Sequence, residues 1–451
     1  MNDLDENTPG YDELASSSAN DGAGWEPIGN HQYNFKGSFD GDGFTIYDLY
    51  INRPDEEYIG LFGYGYSAEI VNINMNSVNI TGQKYVAGII GDNHSGTVDN
   101  CNVTGSINGT SLIGGIVGYN SDSIIRNSSY TGQITGVAGE ENISAIGGIT
   151  GQNDQGELNS NSTNITISVD GLCTDIGGIA GYNYGSITNN NTSITMNITS
   201  DSGHEYGGLV GGNYGTITSC YAEGTMTITS TGGYYYGGLV GKNQTTIENS
   251  HSEVDITAND NVGGLVGANI GYSKILNSYA TGDITGENKV GGLVGHTNGN
   301  DNASTEIKSS YATGAVDGES RVGGLVGYNY GSKIYNSYAE GTVTGDNQIG
   351  GLVGTNGYYS KILNSYAIGD VTGENNEGGL VGLNSSNTTI TYSYYDSETT
   401  EQNDTGKGLP RSTTQMKKGT ANDTIDGESM YTGWDITKWD FGTVSEYPKL
   451  K

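Results

Sequence analysis

A short glycine-rich phrase recurs along most of this 451-residue chain. Its clearest copy, "NKVGGLVGHTNG" (288–299), places the apolar pair Leu293–Val294 among four glycines. Self-similarity at a fixed period indicates stacked repeats. A phosphate-binding loop is disfavoured, because no helix-period segment follows any copy. Alignment on the glycine that closes each phrase gives twelve copies, spaced 26 to 33 residues apart: Gly63, Gly91, Gly118, Gly151, Gly181, Gly211, Gly241, Gly267, Gly295, Gly327, Gly354 and Gly382.

The second half of each repeat alternates between two sets of positions. In "SKILNSYATGDITG" (273–286), the small residues Ser278 and Ala280 share one parity and Tyr279 has the other. Such alternation is typical of a half-buried strand. Asn277 lies where the apolar parity changes, and asparagine tolerates the left-handed backbone that a corner needs. The same corner role is predicted for Asn336 and Asn364.

These features predict an all-β fold, a right-handed parallel β-helix (β-solenoid) of about twelve coils with aromatic-rich terminal caps. Each coil would hydrogen-bond to its two neighbours at about 4.8 Å per rung, so that the rod would extend roughly 55–60 Å. The right hand is expected because parallel crossovers nearly always have it. Leucine, valine, isoleucine and alanine would form an interior to which every coil contributes one slice.

Composition separates a repetitive middle from two aromatic ends. No proline lies between 55 and 409, and the three tryptophans are Trp25, Trp434 and Trp439. Because an open stack exposes unpaired strand edges, the ends are expected to act as caps. We expect four regions: a flexible N-terminal segment (1–24), an N-terminal cap (25–57), the repeats (58–391) and a C-terminal cap (392–451).

The chain is strongly acidic, with 51 acidic and 18 basic residues and a net charge of −33. Such a surface repels nucleic acid and anionic lipid, so neither is an expected partner. No apolar run reaches membrane-spanning length, and "MNDLDENTPG" lacks the features of a signal peptide. The three cysteines predict no disulfide framework. Two of them, Cys101 and Cys220, align with Ser278 and are predicted to be buried thiols.

The phrase "GGLVG" followed by "SKILNSYATG" resembles the GLUG repeat of bacterial and archaeal surface proteins, including some adhesins. The resemblance includes the flanking segments 35–63 and 394–450 and covers roughly residues 25–450. It implies a β-helix-like fold and a cell-surface or secreted setting, and it offers no catalytic residues to transfer to this chain. Residues 136–206 depart from the pattern through "GGITG", "GGIAG" and polar inserts such as 159–168, where bulged coils or side loops are expected.

Together these features favour a non-enzymatic solenoid for adhesion or extracellular scaffolding, with multivalent binding to surface glycans or proteins. We expect a monomeric rod or a part of a larger surface protein. The alternative is a carbohydrate-active enzyme, a polysaccharide lyase or glycoside hydrolase on a parallel β-helix. A third hypothesis, an ice- or surface-binding array, needs a regular Thr-x-Thr face. The stretches 164–171 and 227–232 suggest one, but their spacing does not recur along the sequence.

One outward column supplies the candidate binding residues, which are tyrosines between small inward residues: Tyr221, Tyr279, Tyr311, Tyr338 and Tyr366. Stacked at rung spacing, they would form an exposed aromatic ridge. Such a ridge shields the strands by ladder stacking. It also offers a platform for sugar rings or for a protein partner.

No cofactor is predicted. The segment "FDGDG" (39–43) lacks the twelfth-position glutamate of an EF-hand and is interpreted as a turn. Acids in the turns are interpreted as solvated, and structural calcium between neighbouring turns remains an option: Asp283, Glu287, Asp317, Glu319, Asp346 and Glu374. Seventeen N-x-S/T sequons, including Asn164 and Asn243, would make an exported chain a glycoprotein in a glycosylating organism.

Overall fold

The computed structural model describes residues 3–137, 143–200, 202–230, 232–299, 305–404, 406–417, 424–425 and 428–451. The chain divides into two compact units. Unit 1 comprises 1–233 and 239–241, and unit 2 comprises 234–238 and 242–451. Both units are stacks of parallel coils, which together make about twelve turns of a β-solenoid. The predicted all-β solenoid is confirmed, while its handedness stays a prediction.

Each coil of unit 1 contributes to three walls. The glycine wall follows the glycine-rich phrase, and its strands are Phe62–Tyr66, Ile90–His94, Val117–Ser121, Thr150–Asp154, Ala180–Asn183 and Val210–Asn213. The short wall has three-residue strands at Ser38–Asp40, Glu69–Val71, Thr97–Asp99, Ile124–Arg126, Glu157–Asn159, Ser186–Thr188 and Thr216–Thr218. The long wall consists of Thr45–Tyr47, Tyr50–Ile59, Asn74–Val86, Asn102–Gly109, Ser111–Gly114, Ser129–Gly136, Ile143–Gly147, Ser162–Asp170, Cys173–Gly177, Asn191–Ser200, His204–Gly207 and Tyr221–Ser230.

Unit 2 has the same three walls. Its glycine wall contains Val266–Ile270, Val294–Asn298, Val326–Tyr330, Val353–Asn356 and Val381–Asn384. Its short wall contains Thr246–Glu248, Lys274–Leu276, Thr305–Lys308, Ser332–Tyr335, Lys361–Leu363 and Thr389–Thr391. Its long wall contains Tyr234–Gly237, His251–Thr257, Asp260–Gly263, Tyr279–Ala280, Ile284–Thr285, Asn288–Gly291, Tyr311–Ala312, Val316–Gly323, Tyr338–Ala339, Val343–Gly350, Tyr366–Ala367, Val371–Thr372, Asn375–Gly378, Tyr394–Asp396 and Leu409–Arg411. A further strand, Val240–Asn243, contains residues of both units.

Equivalent residues of successive repeats are direct partners in the parallel ladders. In unit 2, Val294 pairs with Val326, which in turn pairs with Val353. These valines and the neighbouring leucines, such as Leu293, are fully buried. The repeated apolar pair of the phrase therefore supplies one slice of the core per coil, as the sequence indicated.

Glycine is required in the phrase because neighbouring coils approach closely. A Cβ atom on Gly292 would overlap the carbonyl oxygen of Gly324 and would lie 3.0 Å from the methyl group of Ala312. No side chain fits at that distance. The glycine-rich bend is thus a packing requirement of the stack.

The predicted asparagine corner is confirmed. Asn277, Asn336 and Asn364 all have left-handed backbone, with φ of 50°, 50° and 49°. The equivalent corners of other coils also have positive φ, and four of them are not asparagine: Ser160, Ser219, Ser309 and Tyr392. The residue after the corner forms a buried column in which Cys101 donates its backbone N–H to the Ser128 hydroxyl at 3.1 Å. Cys101 and Cys220 are buried in this column, as predicted.

A second buried column was not anticipated. It consists of asparagines two residues after the phrase-closing glycine, and their amides bond from coil to coil. In unit 1, Asn120 Nδ2 donates to Asn153 Oδ1 at 2.9 Å, and Asn153 Nδ2 donates to Asn183 Oδ1 at 2.9 Å. These side chains are fully buried, so their polar groups need the partners that the ladder supplies.

The ends of the chain pack on the coils. Near the N-terminus, Leu4 pairs with the strand Thr45–Tyr47, and Tyr11, in the helix Tyr11–Leu14, is buried. A 3₁₀ turn follows at Ala19–Gly22. Trp25 Nε1 donates to the Leu61 carbonyl oxygen at 3.1 Å. The described part of the segment expected to be flexible, 3–24, therefore contacts the first coils, and the proposed region boundaries stay predictions.

At the C-terminal end, Lys407 Nζ donates to the Gly382 carbonyl oxygen of the last glycine-wall strand at 2.6 Å. A short helix, Thr413–Met416, begins with a capping box formed by Ser412 and Gln415. Two antiparallel pairs follow, Thr424–Ile425 with Glu428–Ser429 and Trp439–Asp440 with Lys449–Leu450. Within the described residues, no helix has the length and hydropathy of a membrane span.

Candidate functional site

The predicted tyrosine column is a continuous stack of rings in unit 2. Tyr279, Tyr311, Tyr338 and Tyr366 are parallel to within 4°, and successive ring centroids lie 4.8 to 5.0 Å apart. His251 extends the stack, with its ring 4.7 Å from that of Tyr279. The ladder register places the rings directly above one another.

Tyr221 belongs to unit 1 and is 36% exposed. Its ladder partner on the preceding coil is Asn191, which contributes no ring.

The prediction of an exposed ridge is wrong at Tyr338 and Tyr366, which are 4% and 0% exposed. Trp434 and Trp439 pack against the column, with the Trp439 ring 5.9 Å from that of Tyr366. Tyr366 also donates its hydroxyl to the Pro448 carbonyl oxygen. The C-terminal segment thus covers this part of the column, a contact between residues too distant in sequence to predict.

The uncovered end of the column borders a cleft in unit 2. Tyr279 and Tyr311 are half-buried, and burial raises the pKa of both phenols. Because the ring faces are occupied by neighbouring rings, the column presents edges and neutral hydroxyls, not faces for sugar stacking. The cleft is lined by Asn249, Asn277, Tyr279, Ser309, Tyr311, Lys438, Leu450 and Lys451. It can offer hydrogen bonds and two ammonium groups.

The positions that flank the glycine-rich phrase form a second candidate surface in each unit, where polar, charged and aromatic side chains differ from coil to coil. Sequence reasoning missed this surface. We call it the flank row: the residues six before and one after each phrase-closing glycine. In the eleven copies after the first, the former residue has left-handed backbone: Tyr85, Leu112, Ala145, Asp175, Glu205, Tyr235, Asn261, Lys289, Arg321, Gln348 and Asn376. The two positions are neighbours in space, as the 6.1 Å between the rings of Tyr85 and Tyr119 illustrates. The signal in the sequence was variation at fixed distances from an otherwise uniform phrase.

Two aromatic clusters of unit 1 include a flank-row residue, Tyr85 in the first and Tyr182 in the second. The Tyr58 and Tyr85 rings stack at 4.8 Å. Further along, Tyr182, Tyr184 and Tyr214 form a cluster with centroids 5.0 to 5.2 Å apart. Tyr184 remains 44% exposed, so part of its ring is open to a ligand.

A groove lies beside the second cluster, and small side chains form part of its lining. Ser111 and Ser144 are partners on successive coils, with their hydroxyl oxygens 2.9 Å apart. The groove is lined by Lys84, Ser111, Leu112, Ser144, Ala145, Gln152, Asp175, Tyr182 and Tyr184. It combines aromatic rings with hydroxyl, amide, ammonium and carboxylate groups.

An acid and a histidine form a pair near the first cluster. Asp92 is buried, and its Oδ1 lies 3.0 Å from His94 Nε2. Burial raises the pKa of Asp92 to about 7 and lowers the pKa of His94. The His94 ring stacks on Tyr64 at 5.2 Å. Near neutral pH this pair can hold or release one proton.

The long wall of unit 1 carries an uncharged hydroxyl face. Thr195 pairs with Thr225 and Thr199 with Thr229, and all four are exposed. Thr166 on the preceding coil pairs with Thr195. Asn197, not a threonine, is the partner of Thr227, so the Thr-x-Thr spacing of 225–229 does not recur on that coil, as the sequence indicated.

The turn acids named above are all exposed, and some bond to the next coil. Asp283 Oδ1, for example, accepts from the Ala315 backbone N–H at 2.8 Å. Asp40 in "FDGDG" accepts from the Asn72 side chain and the Asp42 backbone, which lowers its pKa, so this segment is a turn as interpreted. Among the described residues, no three His, Cys, Asp or Glu side chains are grouped to hold a metal ion.

The sequons differ in accessibility. Asn164 is exposed, whereas Asn243 is fully buried in the asparagine column. In the folded chain Asn164 is accessible to modification and Asn243 is not, and glycosylation itself stays a prediction.

Six segments match the family model of the GLUG motif: 109–135, 202–229, 232–257, 258–285, 318–344 and 345–372. The chain carries GLUG repeats. The chain is similar to a Gly-rich membrane protein of Evansella cellulosilytica, with 36% identity over 85 residues. The match covers 18% of this chain and 10% of that protein. It is also similar to halomucin of Haloquadratum walsbyi, with 39% identity over 95 residues, 20% of this chain and 1% of halomucin.

The two matches span a tenth or less of the length of these relatives. No solved structure matches the chain.

Proposed function

We propose that this chain is a non-enzymatic solenoid of the cell surface or extracellular space that serves adhesion or scaffolding by multivalent binding to glycans. The groove between Lys84 and the Tyr182–Tyr184 cluster carries the proposal. Aromatic side chains with a few convergent polar groups are typical of small-ligand sites. Because each coil presents another flank-row position, several weak contacts to one polymer would add.

The proposed setting is supported by the relatives. One of them is named a membrane protein and the other a halomucin. The acidic composition suits a solenoid that must stay soluble. In this proposal residues 58–391 present the binding surfaces, and the caps 25–57 and 392–451 protect the ends. The chain acts as a monomer or as part of a larger surface protein.

The test is a glycan array probed with the purified chain and with the variant Tyr182→Ala/Tyr184→Ala. We expect selective binding to a subset of glycans, and a loss of about tenfold or more in affinity in the variant. Tyr272→Ala is the control, because Tyr272 is 76% exposed and lies outside the groove. An array without any bound glycan, or equal loss in the control, would count against the proposal.

The second candidate function is a carbohydrate-active enzyme, and the Asp92–His94 pair favours it. A carboxyl group with a pKa of about 7 beside a histidine is a candidate general acid or base. Incubation of the chain with each bound polymer, followed by a reducing-end assay, separates the candidates. Turnover that Asp92→Asn abolishes would establish the enzyme, and binding without turnover is the result we expect.

A further inference from the structure

Two basic residues occupy neighbouring positions of the flank row in unit 2. Lys289 and Arg321 have φ of 58° and 56° and lie on successive coils, since Val290 pairs with Val322. Neither forms an ion pair with a carboxylate in the described part of the chain. In a chain with 51 acidic and 18 basic residues, two adjacent cations without an acidic partner are unexpected as a purely structural feature.

Aromatic side chains hold this pair in place. The Arg321 guanidinium lies 5.3 Å from the centre of the Tyr328 ring, and its NH1 donates to Asn288 Oδ1 at 3.2 Å. Tyr328 stacks on His296 at 5.5 Å, and the Tyr330 ring lies 6.1 Å away. A cation over a tyrosine face is stabilised in one orientation, which leaves its other N–H groups for a ligand.

The surroundings leave positive charge uncompensated. Burial and the nearby Arg321 both lower the pKa of Lys289, and Asp260 on the preceding coil opposes them only in part. Burial, Lys289 and Arg321 lower the pKa of His296 to about 3, so its imidazole is neutral at physiological pH. Its Nδ1 is buried without a hydrogen-bond partner. A bound anion would relieve the repulsion between the cations.

We propose that Lys289 and Arg321, with Tyr328, form a binding site for an anionic sugar unit, a carboxylated or sulfated residue of an acidic polysaccharide. The site rests on the glycan-binding function proposed above. Two basic residues whose backbones lie one coil apart, about 4.8 Å, can share the oxygens of one carboxylate or sulfate group. Tyr330, whose ring lies beside that of Tyr328, would pack against the sugar ring that carries it.

The test measures affinity of the full chain for polygalacturonate, dextran sulfate and neutral dextran. The variant is Lys289→Gln/Arg321→Gln, and glutamine suits this backbone because Gln348 takes the same position with φ of 62°. The control is Lys274→Gln/Lys361→Gln, which removes the same charge from exposed residues of the short wall. Thermal unfolding verifies that both variants are folded.

We expect the flank-row variant to lose about tenfold or more in affinity for at least one anionic polymer, with the control close to the parent chain. Dextran sulfate and polygalacturonate distinguish sulfate from carboxylate as the preferred group. Equal losses in both variants, or unchanged affinity in the flank-row variant, would overturn the site. If neutral glycans bind and both anionic polymers fail, only this site is overturned. If no glycan binds, the proposed function falls with it.

Discussion

The side-chain amide of Asn329 donates a hydrogen bond to the side-chain oxygen of Asn356 on the next coil, at 3.0 Å. Asn329 also accepts from the Thr297 hydroxyl at 2.8 Å, so one side chain links three successive coils. The Asn residues of this column are buried, so each side-chain amide depends on its neighbours for hydrogen bonds. This polar column fixes the coil register, because a shift by one residue would leave every amide unpaired.

Replacement of Asn329 by alanine should lower the free energy of unfolding by about 1–3 kcal/mol, because Thr297 and Asn356 would keep buried polar groups without partners. Urea unfolding measures the effect. The control is Asn375→Ala, at an exposed position of the long wall, which should change stability by less than about 0.5 kcal/mol. Equal effects of the two substitutions would contradict the role of the column.

Asp92 should make stability depend on pH. Burial raises its pKa in the folded chain to about 7, above the value in the unfolded chain, so the folded state binds the proton more tightly. The free energy of unfolding should therefore fall as pH rises from about 4 to about 7 and then level off. The free energy of unfolding should fall by about 4 kcal/mol at most. The fall should be smaller at pH values where His94 carries a positive charge beside the Asp92 carboxylate.

Chemical unfolding at pH 5 and pH 8 measures this dependence. Asp92→Asn should reduce the difference between the two stabilities, and the exposed Asp317→Asn should leave it as in the parent chain. A parent chain that is more stable at pH 8 because of Asp92 would refute the expected sign.

Trp434 should be the residue that holds the C-terminal segment over the tyrosine column. It is 5% exposed, donates from Nε1 to the Tyr392 carbonyl oxygen at 2.8 Å and packs 4.5 Å from the Trp439 ring. Trp434→Ala should cost about 3–5 kcal/mol and make the Tyr338 and Tyr366 hydroxyls easier to ionise in an ultraviolet titration. Ile436→Ala, at a residue 63% exposed, should do neither.

The three cysteines should be inert in the folded chain. Burial raises the pKa of Cys101 to about 12 and the pKa values of Cys173 and Cys220 to about 11. At pH 8 these thiols are protonated and shielded, so iodoacetamide should label none of them until the chain is unfolded. Mass spectrometry of the labelled native protein measures this. Rapid labelling of Cys101 would show that the buried column after the corner is accessible to solvent, and would contradict the prediction.

The period, the strand parity and the corners could be predicted because each depends on residues close in sequence. Asn277 and Leu293 show this, since each occupies the place that its local pattern indicated. The cover over Tyr366 could not be predicted, because it comes from Pro448 and Trp439 beyond the last repeat. The flank row could not be predicted for another reason. Its residues differ from coil to coil, and the alternation of inward and outward side chains is interrupted at the glycine-rich bend.

The most direct test of the account is a set of distances between equivalent exposed residues of unit 2. Spin labels at Lys274, Lys361 and Thr389 lie on the short wall, where the ladders join 274 to 306, 306 to 333, 333 to 361 and 361 to 389. Dipolar broadening in continuous-wave electron paramagnetic resonance should give label separations near the backbone values of about 14 Å for 274–361 and about 19 Å for 274–389, an increase of about 4.8 Å per coil. Separations that do not grow with the number of intervening repeats would contradict a parallel stack.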